Sequence, residues 1–226
     1  ARLRNAPLHI FGENYQVTYQ HPAEQWGEVF SFHNEHGKMT SLTIGMIGQH
    51  QTENAGMAIE LYQVYCKMTG IPFSEKEIRK GLKKAHWPGR MEKLSEEPFV
   101  ILDGAHNTHA VSRLVQNLKK EFKDYRINIL FSALSTKDVE AMLTQLKAVP
   151  NAHLYLTTFE HPKALDLSNV TDLVDETVSI VSLWQFGLAE ILEKMTNEDV
   201  LVVTGSLYFI SEVRTLFLQL GGKNEL

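Results

Sequence analysis

From Phe99 to the C-terminus, short apolar runs alternate with helical patterns, and this limits the possible folds more than any other feature of the chain. The runs are Phe99–Leu102, Ile127–Phe131, His153–Thr157 and Val200–Thr204. Helical patterns lie around 109–122, 138–148, 168–180, 184–195 and 206–219. In the first of these, Val111, Leu114, Val115, Leu118 and Phe122 recur at three- and four-residue steps. Strands separated by helices at this spacing build βαβ units, so the expected class is α/β, with a mostly parallel sheet flanked by helices. In such sheets ligands gather beyond the carboxyl ends of the strands. The residues that follow each apolar run are therefore the first candidates for function.

Upstream the pattern differs, and residues 1 to about 48 are β-rich. Gln16-Val17-Thr18-Tyr19 alternates, and Glu28–His33 is expected to pair with Lys38–Ile44 around the turn Asn34-Glu35-His36-Gly37. A helix is predicted from about Glu53 to Met68, with Thr52 a candidate N-cap and Gly70 at its C′ position. A second begins at Ser74, where Ser74 and Glu77 form a Ser-x-x-Glu capping box. It ends before Trp87-Pro88-Gly89, which sets the expected boundary between residues 1–87 and 88–226. A few short strands and two helices with apolar residues on several sides require another layer to cover them. The chain also starts Ala1-Arg2-Leu3-Arg4, without methionine, as a piece of something longer or a processed terminus would. The first region is therefore expected to be the tail of a larger domain.

Bulk properties exclude several classes. The net charge is −5 with no basic run, which argues against nucleic acid as a partner. No apolar run approaches the roughly 20 residues needed to cross a bilayer. No secretory signal precedes the first strand, and Cys66 is the single cysteine, so a reducing cytoplasm is the expected location.

Four polar clusters could carry chemistry. His50-Gln51-Thr52-Glu53-Asn54 follows Gly48 at a helix start, where free N–H groups favour anions and an Asn amide suits an adenine edge; plain capping explains it as well. Arg90, in Pro88-Gly89-Arg90-Met91-Glu92, could hold phosphate bidentately, or simply pair with Glu92. Asp103-Gly104-Ala105-His106-Asn107 ends an apolar run, so Asp103 could accept from a ribose hydroxyl or a magnesium-bound water, or cap the next helix, and His106 could bind a carboxylate or phosphate. Thr204-Gly205-Ser206 repeats that geometry, and Ser206 could grip a carboxylate or serve only as a cap. Lys137, in Ser135-Thr136-Lys137-Asp138, lies beyond a third strand end. His106 and His109 lack an evident third ligand, so no metal site is expected from them. No Gly-x-x-x-x-Gly-Lys-Ser/Thr occurs, so an ATP site here would lack the usual phosphate cradle.

Taken in order, four segments closely resemble the folylpolyglutamate synthase/dihydrofolate synthase family of the Mur ligase superfamily. They are His50-Gln51-x-x-Asn54-Ala55, Trp87-Pro88-Gly89-Arg90-Met91-Glu92, Leu102-Asp103-Gly104-Ala105-His106-Asn107, and Thr204-Gly205-Ser206-Leu207-Tyr208-Phe209-Ile210-Ser211. The resemblance spans essentially the whole chain. It implies that residues 1–87 are the C-terminal part of the ATP-binding central domain, without its P-loop, and that 88–226 are a Rossmann-like glutamate ligase domain. It further implies an ATP- and Mg²⁺-dependent cytoplasmic ligase, acting in folate biosynthesis and one-carbon metabolism. That enzyme adds L-glutamate to folate or dihydropteroate through an acyl phosphate, and is monomeric at full length.

On this resemblance Asn54, Arg90 and Asp103 bind ATP, and His106 and Ser206 bind glutamate. His50, Gln51, Asn107 and Lys137 are further cleft candidates, while no catalytic residue or metal ligand is assigned within the chain. The magnesium ligands, the folate loop and the phosphate cradle are expected in an N-terminal ATPase portion, and residues 1–226 alone are expected to be inactive. Two alternatives stand beside this reading: a non-catalytic nucleotide-binding or interaction module on the same scaffold, and another Mur-type amino-acid ligase.

Overall fold

The computed structural model describes residues 7–221. The Ala1–Arg4 start lies outside the described residues. The chain divides into two compact units, Ala1–Trp87 and Pro88–Leu226.

In the first unit β1 (Tyr15–Pro22), β2 (Glu28–Asn34) and β3 (Gly37–Ile44) form an antiparallel sheet in that order. β2 and β3 make the expected hairpin, in which the Asn34 side chain accepts the His36 N–H at 3.0 Å and closes the turn. Two helices follow, α1 (Gln49–Thr69) and α2 (Glu75–Lys84). α1 starts earlier than the local sequence predicts. Gly48, at φ 111°, takes the N-cap position and gives its N–H to Oε1 of Glu28 at 2.7 Å. Thr52 instead lies inside the first turn, its hydroxyl bonded to the Gln49 carbonyl at 2.7 Å. The partner that moves the helix start sits on β2, 20 residues away, where local pattern cannot register it. Gly70 ends α1 in the left-handed conformation, and the Ser74 hydroxyl accepts the Glu77 N–H at the start of α2. Phe30, Phe32, Leu42 and Ile59 form the centre of this unit's core. Met57, Leu61 and Met68, at four- and seven-residue steps along α1, remain exposed.

The second unit contains β4 (Glu92–Glu96), β5 (Phe99–Asp103), α3 (Thr108–Glu121), β6 (Arg126–Ser132), α4 (Val139–Lys147) and β7 (Ala152–Thr157). A 3-10 helix (Leu167–Leu173), β8 (Val178–Val181), α5 (Trp184–Lys194), β9 (Asp199–Gly205) and α6 (Leu207–Gly221) complete it. The six-stranded sheet has the order β4-β5-β9-β6-β7-β8 and is parallel except for β4, which gives the predicted α/β class.

The helix predicted over 168–180 does not form; a 3-10 turn and β8 occupy that stretch. The Asp166 and Asp175 carboxylates accept the N–H groups of Ser168 (3.0 Å) and Thr177 (2.8 Å), local turns that compete with a helix. The β-branched residues Val170, Thr171, Val174, Thr177 and Val178 weaken the helical alternative further. β4 was also not apparent, because its Glu-Lys-Leu-Ser-Glu sequence is that of a polar edge.

Val100, Leu102, Leu130, Leu201 and Val203 face α5 and α6 and pack with Trp184, Leu188, Ile191, Phe209, Ile210 and Val213. Truncating a fully buried leucine such as Leu102 to alanine would cost about 2–5 kcal/mol. Ile101, Ile129 and Val202 point to the opposite face and are equally buried, so both faces of the sheet are covered. No helix among the described residues is long and apolar enough to cross a membrane.

The insertion of β9 between β5 and β6 positions the site. It places Asp103 beside Thr204 in register, although 101 residues of sequence separate them. Such a reversal of strand order opens a crevice at the carboxyl edge of a parallel sheet.

Candidate functional site

β4 runs antiparallel to β5 with Glu92 opposite Leu102, which carries Gly89-Arg90-Met91 to the carboxyl end of β5. The Gly104 N–H donates to the Gly89 carbonyl at 2.8 Å and joins the two segments. Met91 has φ 44°, a left-handed conformation that costs a non-glycine residue on the order of 1–2 kcal/mol. Its buried side chain and its N–H, donated to Oδ2 of Asp103 at 2.9 Å, hold it there. Glu92 does not pair with Arg90. Its carboxylate accepts the Gly89 N–H at 2.8 Å and Nε of Arg214 on α6 at 2.9 Å. Arg90 instead donates to the carbonyls of Gly89 (3.2 Å) and Gly104 (3.4 Å), and among the described residues no carboxylate stands within ion-pair distance of it. A half-buried guanidinium held only by neutral carbonyls keeps its charge available for an anion.

Asp103 is only 9% exposed, and burial pushes its carboxyl from 3.8 up to about 6. The Met91 N–H, the Arg90 charge, the Ala105 N–H and the His106 charge all act against that rise. Asp103 does not cap α3. Asn107 does, by accepting the Ala110 N–H at 2.9 Å. His106 places Nδ1 2.8 Å from the Gly104 carbonyl oxygen, and because a carbonyl only accepts, Nδ1 carries the proton and Nε2 is left for a ligand. The Gly104 carbonyl thus collects Arg90 and His106 at one point.

Ser206 stands between β9 and α6. Its N–H donates to the Ser132 carbonyl at 2.8 Å and its own carbonyl accepts from Ile210 at 3.0 Å. Its hydroxyl, however, is buried (3% exposed), caps nothing and has no partner. The Ser132 and Thr204 hydroxyls share that condition. Nearly all buried polar atoms find a partner, so three orphans at adjacent strand ends mark a place built for something further. Gly205 makes the close approach possible: at φ 116°, a Cβ there would stand 1.9 Å from the Ser132 oxygen. The N-termini of α3 and α6 both open at this edge, and their positive dipole ends add to Arg90 in favouring negative charge.

The structure therefore brings Arg90, Asp103, His106, Asn107 and Ser206 to the ends of two adjacent strands. Lys137 is elsewhere, exposed beyond β6, and it lines a separate cavity with Glu140, Asp166 and Asn169. In the first unit, His50, Gln51 and Asn54 all lie in the opening turns of α1. There the buried Gln51 accepts from the exposed Asn54 amide at 3.0 Å. Sequence reasoning named Met91 and Thr204 within its clusters but gave them no role, and missed Ser132, because a strained φ and an orphaned hydroxyl leave no local signature. A groove at the opposite, amino-terminal edge of the sheet is not an equivalent anion site. Its Arg126 is held bidentately by Asp199, at 3.0 and 2.9 Å, and its Lys194 is paired with Glu190 at 2.6 Å.

The chain matches the model of the Mur ligase, glutamate ligase domain over residues 89–207, more than half its length. It is 34% identical over 202 residues to the dihydrofolate synthase/folylpolyglutamate synthase of Bacillus subtilis (strain 168), covering 88% of this chain and 46% of that protein. The crystal structure of folylpolyglutamate synthase from Thermotoga maritima aligns with a TM-score of 0.80 at 28% identity, over 96% of this chain and 49% of that one. An FPGS–AMPPCP complex aligns with a TM-score of 0.73 at 30% identity, over 92% and 46% respectively. The chain spans about half the length of the curated relatives it matches.

Proposed function

Because the chain belongs to the Mur ligase family, with its glutamate ligase domain at residues 89–207, we propose that it serves an ATP-dependent ligase that joins L-glutamate to folate or dihydropteroate. The observation that carries this reading is the convergence of Arg90, Asp103, His106 and Ser206 at the carboxyl ends of β5 and β9. The AMPPCP held by one similar structure, and the glutamate ligase activity named for the matching domain, supply the ligands that such an anion-seeking edge would take.

In the proposed reaction the γ-phosphoryl group of ATP passes to a carboxylate oxygen of the folate or pteroate and ADP departs. The amine nitrogen of glutamate then attacks the acyl carbon, phosphate leaves and the nitrogen gives up a proton. Arg90 meets the negative charge of the phosphates, stabilising it through position and electrostatics rather than covalent chemistry. Asp103, when ionised, accepts from nucleotide hydroxyls. His106, donating from Nε2 when both of its ring nitrogens carry protons, and Ser206, through its unpartnered hydroxyl and the α6 N-terminus, take the carboxylates of the incoming glutamate. Asn54, on α1 of the first unit, is the proposed adenine contact. Mg²⁺ accompanies the ATP, with its protein ligands proposed to lie outside this chain. Residues 1–226 are accordingly one portion of the catalyst, placed in a reducing cytoplasm where the buried thiol of Cys66 stays free.

The test is steady-state kinetics of the intact enzyme. Arg90→Ala should lower kcat/KM for ATP by about 100-fold, Asp103→Ala and Asn54→Ala should weaken nucleotide binding, and His106→Ala should raise KM for glutamate. Normal kinetics in Arg90→Ala and Asp103→Ala would sink the assignment. Glutamate-dependent ADP release by residues 1–226 alone would refute the division of labour.

A further inference from the structure

Thr204 is fully buried, yet its hydroxyl has no partner. Its place in the sheet identifies the group that could supply one. Val100 and Leu102 of β5 share a core cluster with Leu201 and Val203, their register partners on β9, so paired residues of these strands face the same way. The next pair, Asp103 and Thr204, therefore projects together from the opposite face. On its other side Thr204 pairs with Phe131 of β6. Across β5, β9 and β6 the row thus reads Asp103, Thr204, Phe131, and the Asp103 carboxylate is the one acceptor side chain in it. Side chains directly paired on adjacent strands stand about 5 Å apart, close enough for a rotation of the threonine about its Cα–Cβ bond to close a hydrogen bond.

We propose that Thr204 is the positioning residue for Asp103, donating its hydroxyl proton to the carboxylate and holding it, ionised and oriented, for the ligand. The Asp103 carboxylate already accepts the Met91 N–H at 2.9 Å, while the Ala105 N–H and the Arg90 and His106 charges act on it. A further donor, from β9, adds to the backbone bond from Met91 in orienting the carboxylate, and it explains why a polar residue is tolerated at a fully buried strand end. The functional weight of this contact rests on the proposed role of Asp103 with nucleotide; the contact itself does not.

The experiment follows the Asp103 carboxyl by ¹³C NMR across pH, assigned by its loss in Asp103→Asn, in the wild type, Thr204→Val and Thr204→Ser. Removing a hydroxyl that donates to the ionised form should raise the midpoint by about one pH unit in the valine variant and leave it nearly unchanged in the serine variant. Thr204→Val should also melt at a lower temperature than wild type at pH 8, whereas deleting an orphaned hydroxyl would raise the melting temperature. Identical Asp103 midpoints in wild type and Thr204→Val overturn the proposal. If Thr204→Val itself fails to fold, a displaced midpoint in Thr204→Ser would overturn it and an unmoved one would support it. A shifted midpoint with an unchanged KM for ATP in the intact enzyme would support the contact and count against the nucleotide role of Asp103.

Discussion

Nη1 of Arg90 lies 2.7 Å from the point where a Cβ on Gly104 would stand. The same Cβ would come within 2.5 Å of Cδ2 of Leu207, so a side chain at 104 cannot avoid one obstacle by leaning toward the other. Gly104→Ala should therefore displace the guanidinium from the Gly104 carbonyl, at an overpacking cost of about 1–3 kcal/mol. Nucleotide affinity of the intact enzyme should fall at least tenfold. Calorimetric titration with a non-hydrolysable ATP analogue measures this, and wild-type affinity would show that the seat of Arg90 is not needed.

Asp103 gives the fold a pH dependence of known sign. Its folded-state carboxyl titrates near 6 against 3.8 ordinarily, so the folded chain binds the proton more tightly than the unfolded chain does. Its contribution is most favourable below about pH 4 and is lost as pH rises through 6. Above that, the ionised group costs about 3 kcal/mol, from roughly two pH units at 1.36 kcal/mol each. Asp103→Asn keeps an oxygen for the Met91 N–H and removes the titration. The stability difference between variant and wild type, followed by denaturant unfolding, should therefore grow in favour of the variant between pH 4 and 7. A difference independent of pH would show that the carboxyl is not desolvated.

Glu92 ties the Pro88–Met91 corner to α6, because one carboxylate takes both the Gly89 N–H and the Arg214 guanidinium. Both side chains are less than one-third exposed, which limits screening. Glu92→Ala should cost about 2–3 kcal/mol, more than Arg214→Ala, since it also orphans an amide at the corner that carries Arg90. A double-mutant cycle read by chemical denaturation measures the coupling, and additive single effects would remove Glu92 from its role as tie.

The parallel sheet was legible because β5 and β9 are apolar runs, buried on both faces, that stop at glycine-containing polar clusters, and because the apolar stretches of β6 and β7 alternate with helical patterns. β4 and β8 were not, one being a polar edge and the other four residues long. The false helix over 168–180 arose because apolar spacing alone cannot see that Asp166 and Asp175 turn the chain back on itself. Asp103, His106 and Ser206 stand out in sequence because each lies at or just beyond the end of an apolar run. Their adjacency does not, since only the insertion of β9 between β5 and β6 creates it. The choice between Glu92 and Gly104 as the partner of Arg90 was equally invisible: Arg214, the residue that takes Glu92, comes from α6, 122 residues away.

Ser206 should show stability and function pulling in opposite directions. Its hydroxyl is buried and unpaired, so the folded chain bears a desolvation cost that no internal hydrogen bond offsets. Ser206→Ala removes that cost while leaving the main-chain bonds to Ser132 and Ile210 in place. It should stabilise the fold by about 1 kcal/mol, a rise of roughly 2–4 °C in Tm. The same change should raise KM for glutamate in the intact enzyme at least tenfold, because the hydroxyl finds its partner only in the ligand. Scanning calorimetry and steady-state kinetics on one variant read the two effects separately. A Ser206→Ala protein that is less stable than wild type would mean that an ordered water already satisfies the hydroxyl. One that is more stable with an unchanged KM would mean that glutamate binds without it.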